Sequence, residues 1–146
     1  MIRVSAQDEK AQEIAWQVYD QLSEEQALRT TTSDILVEAQ EGVVSLTGRV
    51  RTNAISHLAQ RVGSTGLDGW ILKNNLISDE ALAFELADRL AADPRMADDN
   101  VRVDVFLGVA TLRGWVPGLE QRDVAIEIAS AVPGVVRVDD HLASVA

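Results

Sequence analysis

The stretch Gly42-Val43-Val44-Ser45-Leu46-Thr47-Gly48-Arg49-Val50 decides how this chain is read, because it returns as Gly108-Val109-Ala110-Thr111-Leu112-Arg113-Gly114-Trp115-Val116, 66 residues later. Both copies spell G-V-x-x-L-x-G-x-V. Repetition at fixed spacing means one supersecondary unit used twice. Upstream of the first copy, Ile35, Val37 and Ala39 alternate with Leu36, Glu38 and Gln40, the period of a half-buried strand. Upstream of the second, Val101, Val103 and Val105 alternate with Arg102, Asp104 and Phe106. Glu41-Gly42 and Leu107-Gly108 then fit two-residue hairpin turns, with glycine supplying a positive φ. On the returning strands Val44, Leu46, Gly48 and Val50, and likewise Ala110, Leu112, Gly114 and Val116, share the inner face. A glycine inside a strand weakens it, and close approach of a helix backbone is the expected reason for Gly48.

Helical periodicity flanks each hairpin. Ala11, Ile14, Ala15, Val18 and Leu22 form one stripe, and Leu82, Ala83, Leu86 and Leu90 another. After the first hairpin, Thr52 or Asn53 can cap a helix carrying Ile55, Leu58, Ala59 and Val62. After the second, Val124, Ala125, Ile128 and Val132 make the matching stripe. Residues 70–77 and 135–142 read as closing strands. The copies superpose with a shift of 68 in the opening helix and 66 from the hairpin onward. Each second helix is long enough to be a crossover, so the strands it joins can be parallel. The expectation is an α+β chain of two tandem αββαβ units, residues 7–77 and 78–146. Each unit is expected to be a three-stranded mixed sheet with two helices on one face.

Composition narrows the function classes. The net charge is −10, with 7 basic and 10 acidic side chains in residues 1–77 and 6 basic and 13 acidic in residues 78–146. Neither half offers a basic footprint for a phosphate backbone, so nucleic acid is not an expected partner. The same sign weakens attraction to anionic lipid headgroups. No apolar run approaches the ~18 residues of a spanning helix, so the chain is not expected to be membrane-spanning. The first residues contain no apolar signal-peptide core, which makes a cytoplasmic location the expectation, or a periplasmic one if a leader has been removed. Cysteine is absent, which removes disulfides and thiolate metal sites.

The assembled pattern resembles the BON domain, a family of bacterial osmotically induced and nodulation-associated proteins. The second copy carries its marks at Gly108-Val109, Leu112, Gly114, Val116, Gly134-Val135, Val138 and Leu142, and the first at Gly42-Val43-Val44, Leu46, Gly48 and Val50. The closing strand of the first copy departs from the pattern by one residue, which leaves its register open. The resemblance implies an αββαβ fold, no known catalytic residues, and a proposed role in binding phospholipid or envelope components in osmotic or envelope stress; no cofactor is expected.

Candidate surfaces follow from the alternation. Phe106 and Trp115 point to the outer face of the second sheet, Leu107 sits at a turn position where polar residues are usual, and Val109 follows it. Together they are expected to form an apolar patch, facing a phospholipid surface or another protein. Their counterparts Gln40, Glu41, Val43 and Arg49 are mostly polar. Burial against the first unit or in a homo-oligomer is the plainer explanation of the same residues. Leu119 and Ile126 lie opposite the core stripe of the last helix and extend the candidate surface. Trp16 and Phe84 occupy equivalent off-stripe helix positions. Asp98-Asp99-Asn100 and Asp139-Asp140-His141 hold ligand-type atoms but lack the spacing of a calcium loop or a zinc helix, and are read as solvated residues, with no metal expected. The two histidines, His57 and His141, assemble no nucleophile–base pair, so the chain is read as a non-enzyme.

Overall fold

The structure, a computed structural model, describes residues 1–97 and 100–144. The chain divides into two compact units, Met1–Ser78 and Asp79–Ala146.

The first unit opens with β1 (Ile2–Ser5) and α1 (Glu9–Glu24), continues through a short helix α2 (Gln26–Thr30), and forms the hairpin β2 (Asp34–Gln40) and β3 (Val43–Val50). Helix α3 (Asn53–Gly63) then crosses back to β4 (Ile71–Ser78). Asp8 caps α1 by accepting the Ala11 N–H at 2.8 Å, and Thr52 caps α3 by accepting the Ile55 N–H at 3.1 Å. The sheet order is β1-β2-β3-β4, with β2 and β3 antiparallel and both outer pairings parallel. Ala11, Ile14, Ala15, Val18 and Leu22 are buried together with Ile35, Val37, Val44, Leu46 and Val50, as the two periodicities require.

The second unit runs α4 (Asp79–Ala92), a 3-10 turn at Pro94–Met96, β5 (Asn100–Phe106), β6 (Val109–Val116), α5 (Leu119–Ala131) and β7 (Arg137–Ser144). Its sheet order is β5-β6-β7, antiparallel then parallel. Leu82, Leu86, Leu90, Val105, Ala110, Leu112, Val116, Val124, Ala125 and Leu142 form its core. The chain is therefore α+β, with two αββαβ units in tandem.

Two expectations change and one open point is resolved. The first sheet has four strands, because Ile2-Arg3-Val4-Ser5 pairs with β2 and lays Ile2 and Val4 on the core. The strand glycine is not there for a helix. Gly48 has φ +119° and Gly114 φ +116°, and a Cβ on either would lie 1.9 Å from a carbonyl oxygen of the paired strand, that of Asp34 or Asn100. Backbone meets backbone across the hairpin at these points, in a conformation that side chains avoid. The register of the first closing strand is also settled: Val43 pairs with Ile71 as Val109 pairs with Arg137, a constant shift of 66. The odd residue is absorbed before the ladder, where Ile71 N–H in one unit and Val136 N–H in the other meet the turn-glycine carbonyl at 2.9 Å.

Candidate functional site

Both hairpin turns are built alike. Glu41 and Gly42 have φ of 50° and 83°, Leu107 and Gly108 of 45° and 83°, which is the type I′ geometry that suits a twisted hairpin. Leucine in the left-handed region is uncommon and costs energy. The second unit offsets this with Asp79, the first residue of α4, which is only 3% exposed. One carboxylate oxygen accepts the Leu107 N–H at 2.8 Å and the other the Gly108 N–H at 3.1 Å. The carboxylate fastens a turn 28 residues away in the chain.

That turn carries the apolar surface. Phe106 pairs with Val109 across the ladder, and both face outward. Phe106 is 52% exposed, and Leu107 and Val109 are half-buried. Val136, 61% exposed, lies beside the turn, where its N–H donates to the Gly108 carbonyl at 2.9 Å. Sequence reasoning passed over Val136. The parallel return of β7 to the hairpin was the available signal, because it brings the start of the closing strand beside the turn.

Trp115 does not belong to this cluster. It pairs with Asn100 at the opposite end of the same face, six residues along β6 from Val109. At about 3.3 Å per residue that is about 20 Å. Between them lie the rows Asp104–Thr111–Asp139 and Arg102–Arg113–His141. One continuous patch is thus replaced by an apolar hairpin tip and a separate tryptophan, because alternation fixes the face of a side chain but not its height on the strand. Leu119, 65% exposed, opens α5 a few residues after Trp115. Ile126 is partly buried against the second core. Helix α5 packs on β6, β7, α4 and the 3-10 turn with buried Met96, so its covered arc is wider than the single stripe predicts. Trp16 and Phe84 are both exposed, and Trp16 sets its ring edge-on to Tyr19 at 5.0 Å.

Several charged residues of the second unit are engaged in structural pairs. Asp140 is not a solvated strand residue. It faces the helices, where Arg122 donates to it at 2.5 Å and the Leu142 N–H at 2.9 Å. Burial pushes its carboxyl up, but the Leu142 N–H and the Arg122 guanidinium outweigh that and hold it below the usual 3.8. The equivalent place in the first unit is Asn74, which donates to Ser56 and accepts the Leu76 N–H at 3.0 Å. Asp139 is paired with Arg137 at 3.0 Å, whose side-chain hydrogen bond lowers its pKa. Asp93 is bound through side chain and backbone by Arg95 and is lowered to about 2. Among the described residues, no three His, Cys, Asp or Glu side chains converge on a common metal position. Asp98 and Asp99 lie outside the described residues. Among the described residues no helix is long and apolar enough to cross a membrane.

Comparison with known proteins agrees with this geometry. Osmotically-inducible protein Y of Escherichia coli (strain K12) is 30% identical over 125 residues, covering 76% of this chain and 62% of that protein. The chain thus spans less than two thirds of this relative's length. Among solved structures, the C-terminal domain of CdsD, the structural protein of the type III secretion system of Chlamydia trachomatis, matches with a TM-score of 0.68 at 16% identity, over 92% of this chain and 67% of that one. A second structure of CdsD matches with a TM-score of 0.69 at 15% identity, over 90% and 61%. At such identities the likeness is one of fold. The BON domain model matches twice, over residues 10–69 and 78–146, so both units are accounted for and the chain belongs to the BON domain family.

Proposed function

We propose that this chain is a non-catalytic, stress-related envelope module whose second unit engages a phospholipid surface through its hairpin tip. The observation that carries the reading is the apolar hairpin tip, where exposed Phe106 stands with half-buried Leu107 and Val109 on a turn fastened by a buried carboxylate, and exposed Val136 lies alongside. An exposed cluster of this kind, fixed in shape, marks an interaction site. The first unit has Gln40, Glu41 and Val43 in the corresponding places, so the two copies have diverged where binding would occur. The osmotic induction in the relative's name supports a role in envelope stress. Trp115 and Leu119 form a second, smaller contact in this reading, and Ile126 supports the core beneath it. The family resemblance supports a non-enzyme.

A second reading has its own support. The net charge of −10 disfavours anionic headgroups and suits a protein partner or self-association through the same tip. Liposome flotation separates the two. The native chain should float with vesicles, and the double substitution Phe106→Ser, Leu107→Asn should remain at the bottom, asparagine being tolerated at the positive φ. If the native chain floats with neither zwitterionic nor anionic vesicles, the phospholipid reading is lost and the protein-partner reading stands.

A further inference from the structure

The two units differ along one border. In the first, β1 occupies the outer border of β2, with Ile2 opposite Ile35 and Val4 opposite Val37. The Ile35 N–H donates to the Met1 carbonyl at 2.8 Å, and Ile35 and Val37 are fully buried. Their counterparts 66 residues on are Val101 and Val103 of β5. Among the described residues no strand lies outside β5, and both valines are only partly buried. A groove of about 210 Å³ runs beside them, lined by Ala83, Ala87, Leu90 and Ala91 of α4. Shifted by 68, Ala87 corresponds to Tyr19, which borders Met1 and Ile2 in the first unit. The groove therefore lies where Ile2 and Val4 would sit, and alanine in place of tyrosine makes it roomier. Ladder alternation also carries over. The Ile35 amide faces β1, so the Val101 and Val103 amides face away from β6, consistent with the Asn100 carbonyl pointing at Gly114 on the other side.

We infer that the β5 border receives an extended segment of a partner protein as a parallel fourth strand, with apolar residues at two alternate positions and an acidic residue between them. The groove selects the apolar pair, and backbone hydrogen bonds supply the addition. The acidic residue follows from the outer face. The residue between the two apolar ones stands opposite Arg102, which forms one row with Arg113 and His141. Like charges directly opposite are unfavourable, and a carboxylate there is favourable. The N-terminal strand of a second copy is the wrong chemistry. Its Arg3 stands opposite Leu36 and reaches Asp34 at 3.1 Å in its own unit, whereas in the second unit it would face Arg102, with Asn100 in the place of Asp34. This site is independent of the hairpin tip, and failure of the flotation experiment leaves it standing.

The test is a titration of the ¹⁵N-labelled full chain with a blocked peptide of residues 1–6 carrying Arg3→Asp, beside the unaltered peptide. The Val101 and Val103 amides should shift and exchange more slowly, with the Asp peptide at least tenfold tighter than the Arg peptide. Arg102→Glu should reverse that order. Ala87→Trp, at an exposed helix position, should fill the groove and abolish both. Unshifted Val101 and Val103 amides at millimolar peptide would overturn the site, and equal affinity for the two peptides would overturn its acidic preference. If the same amides instead shift with protein concentration alone, the occupant is a second copy and the partner assignment is wrong.

Discussion

At the scale of single residues, the repeat is enforced by backbone contact. Gly48 and Gly114 combine a positive φ with a carbonyl where a Cβ would go. Alanine at either should cost at least about 2 kcal/mol, since strain in that region alone is of order 1–3 kcal/mol. Urea unfolding of Gly48→Ala and Gly114→Ala tests this, and an unchanged midpoint would contradict it. Asp79→Ala leaves the Leu107 and Gly108 N–H groups without their carboxylate, and should destabilise the second unit by about 1–3 kcal/mol. Asp140 makes a prediction about acid. Its folded pKa lies below the unfolded value, so its contribution is complete above pH 3.8 and is lost as pH falls further. Asp140→Asn should flatten the acid limb of stability measured by denaturant titration from pH 5 downward. Arg122 is 40% exposed, so Arg122→Ala should cost only about 1 kcal/mol at neutral pH.

At the scale of elements, most of the fold was legible and the reasons differ by element. Helices α1, α4 and α5 announced themselves because a stripe over several turns has few competing readings, and both hairpins because a two-residue turn with glycine fixes the register beside it. Strand β1 was missed: four residues are too few for periodicity to speak, and its partner β2 begins 32 positions after it. Asp140 was misplaced although alternation with Val138 and Leu142 already put it on the inner face. The partner that keeps a carboxylate there, Arg122, lies 18 residues upstream, where no local pattern announces it. Alternation placed Phe106 and Trp115 on the outer face, but Val136 and the separation of Phe106 from Trp115 needed the ladder. The contribution of β1 can be measured. Replacing both Ile2 and Val4 by alanine should destabilise the first unit by about 2 kcal/mol, since each is only partly buried. Hydrogen exchange at the Ile35 amide, which bonds to the Met1 carbonyl, should accelerate in the same variant.

At the scale of the whole molecule, duplication has been followed by a division of character. Residues 1–77 carry 10 acidic against 7 basic side chains, residues 78–146 carry 13 against 6, and the more acidic half also presents the apolar tip. If that tip meets phospholipid, contact must succeed against long-range repulsion from anionic vesicles. Screening then works in its favour: the Debye length falls from about 30 Å at 0.01 M salt to about 8 Å at 0.15 M. Flotation with anionic vesicles should therefore increase over that range, and with zwitterionic vesicles stay level. A decrease with salt on anionic vesicles would point to a basic contact and away from the tip.

The position of Asp79 bears on how the second unit can be cut out for study. It is the first residue after β4, and its carboxylate fastens the turn between β5 and β6. A fragment started at residue 81, which keeps nearly all of the helix, would discard this tether and leave the Leu107 and Gly108 N–H groups without their carboxylate. A fragment started at 79 would set a free ammonium group on the same residue as the buried carboxylate. The truncation boundary that preserves the unit lies upstream, at residue 78 or before.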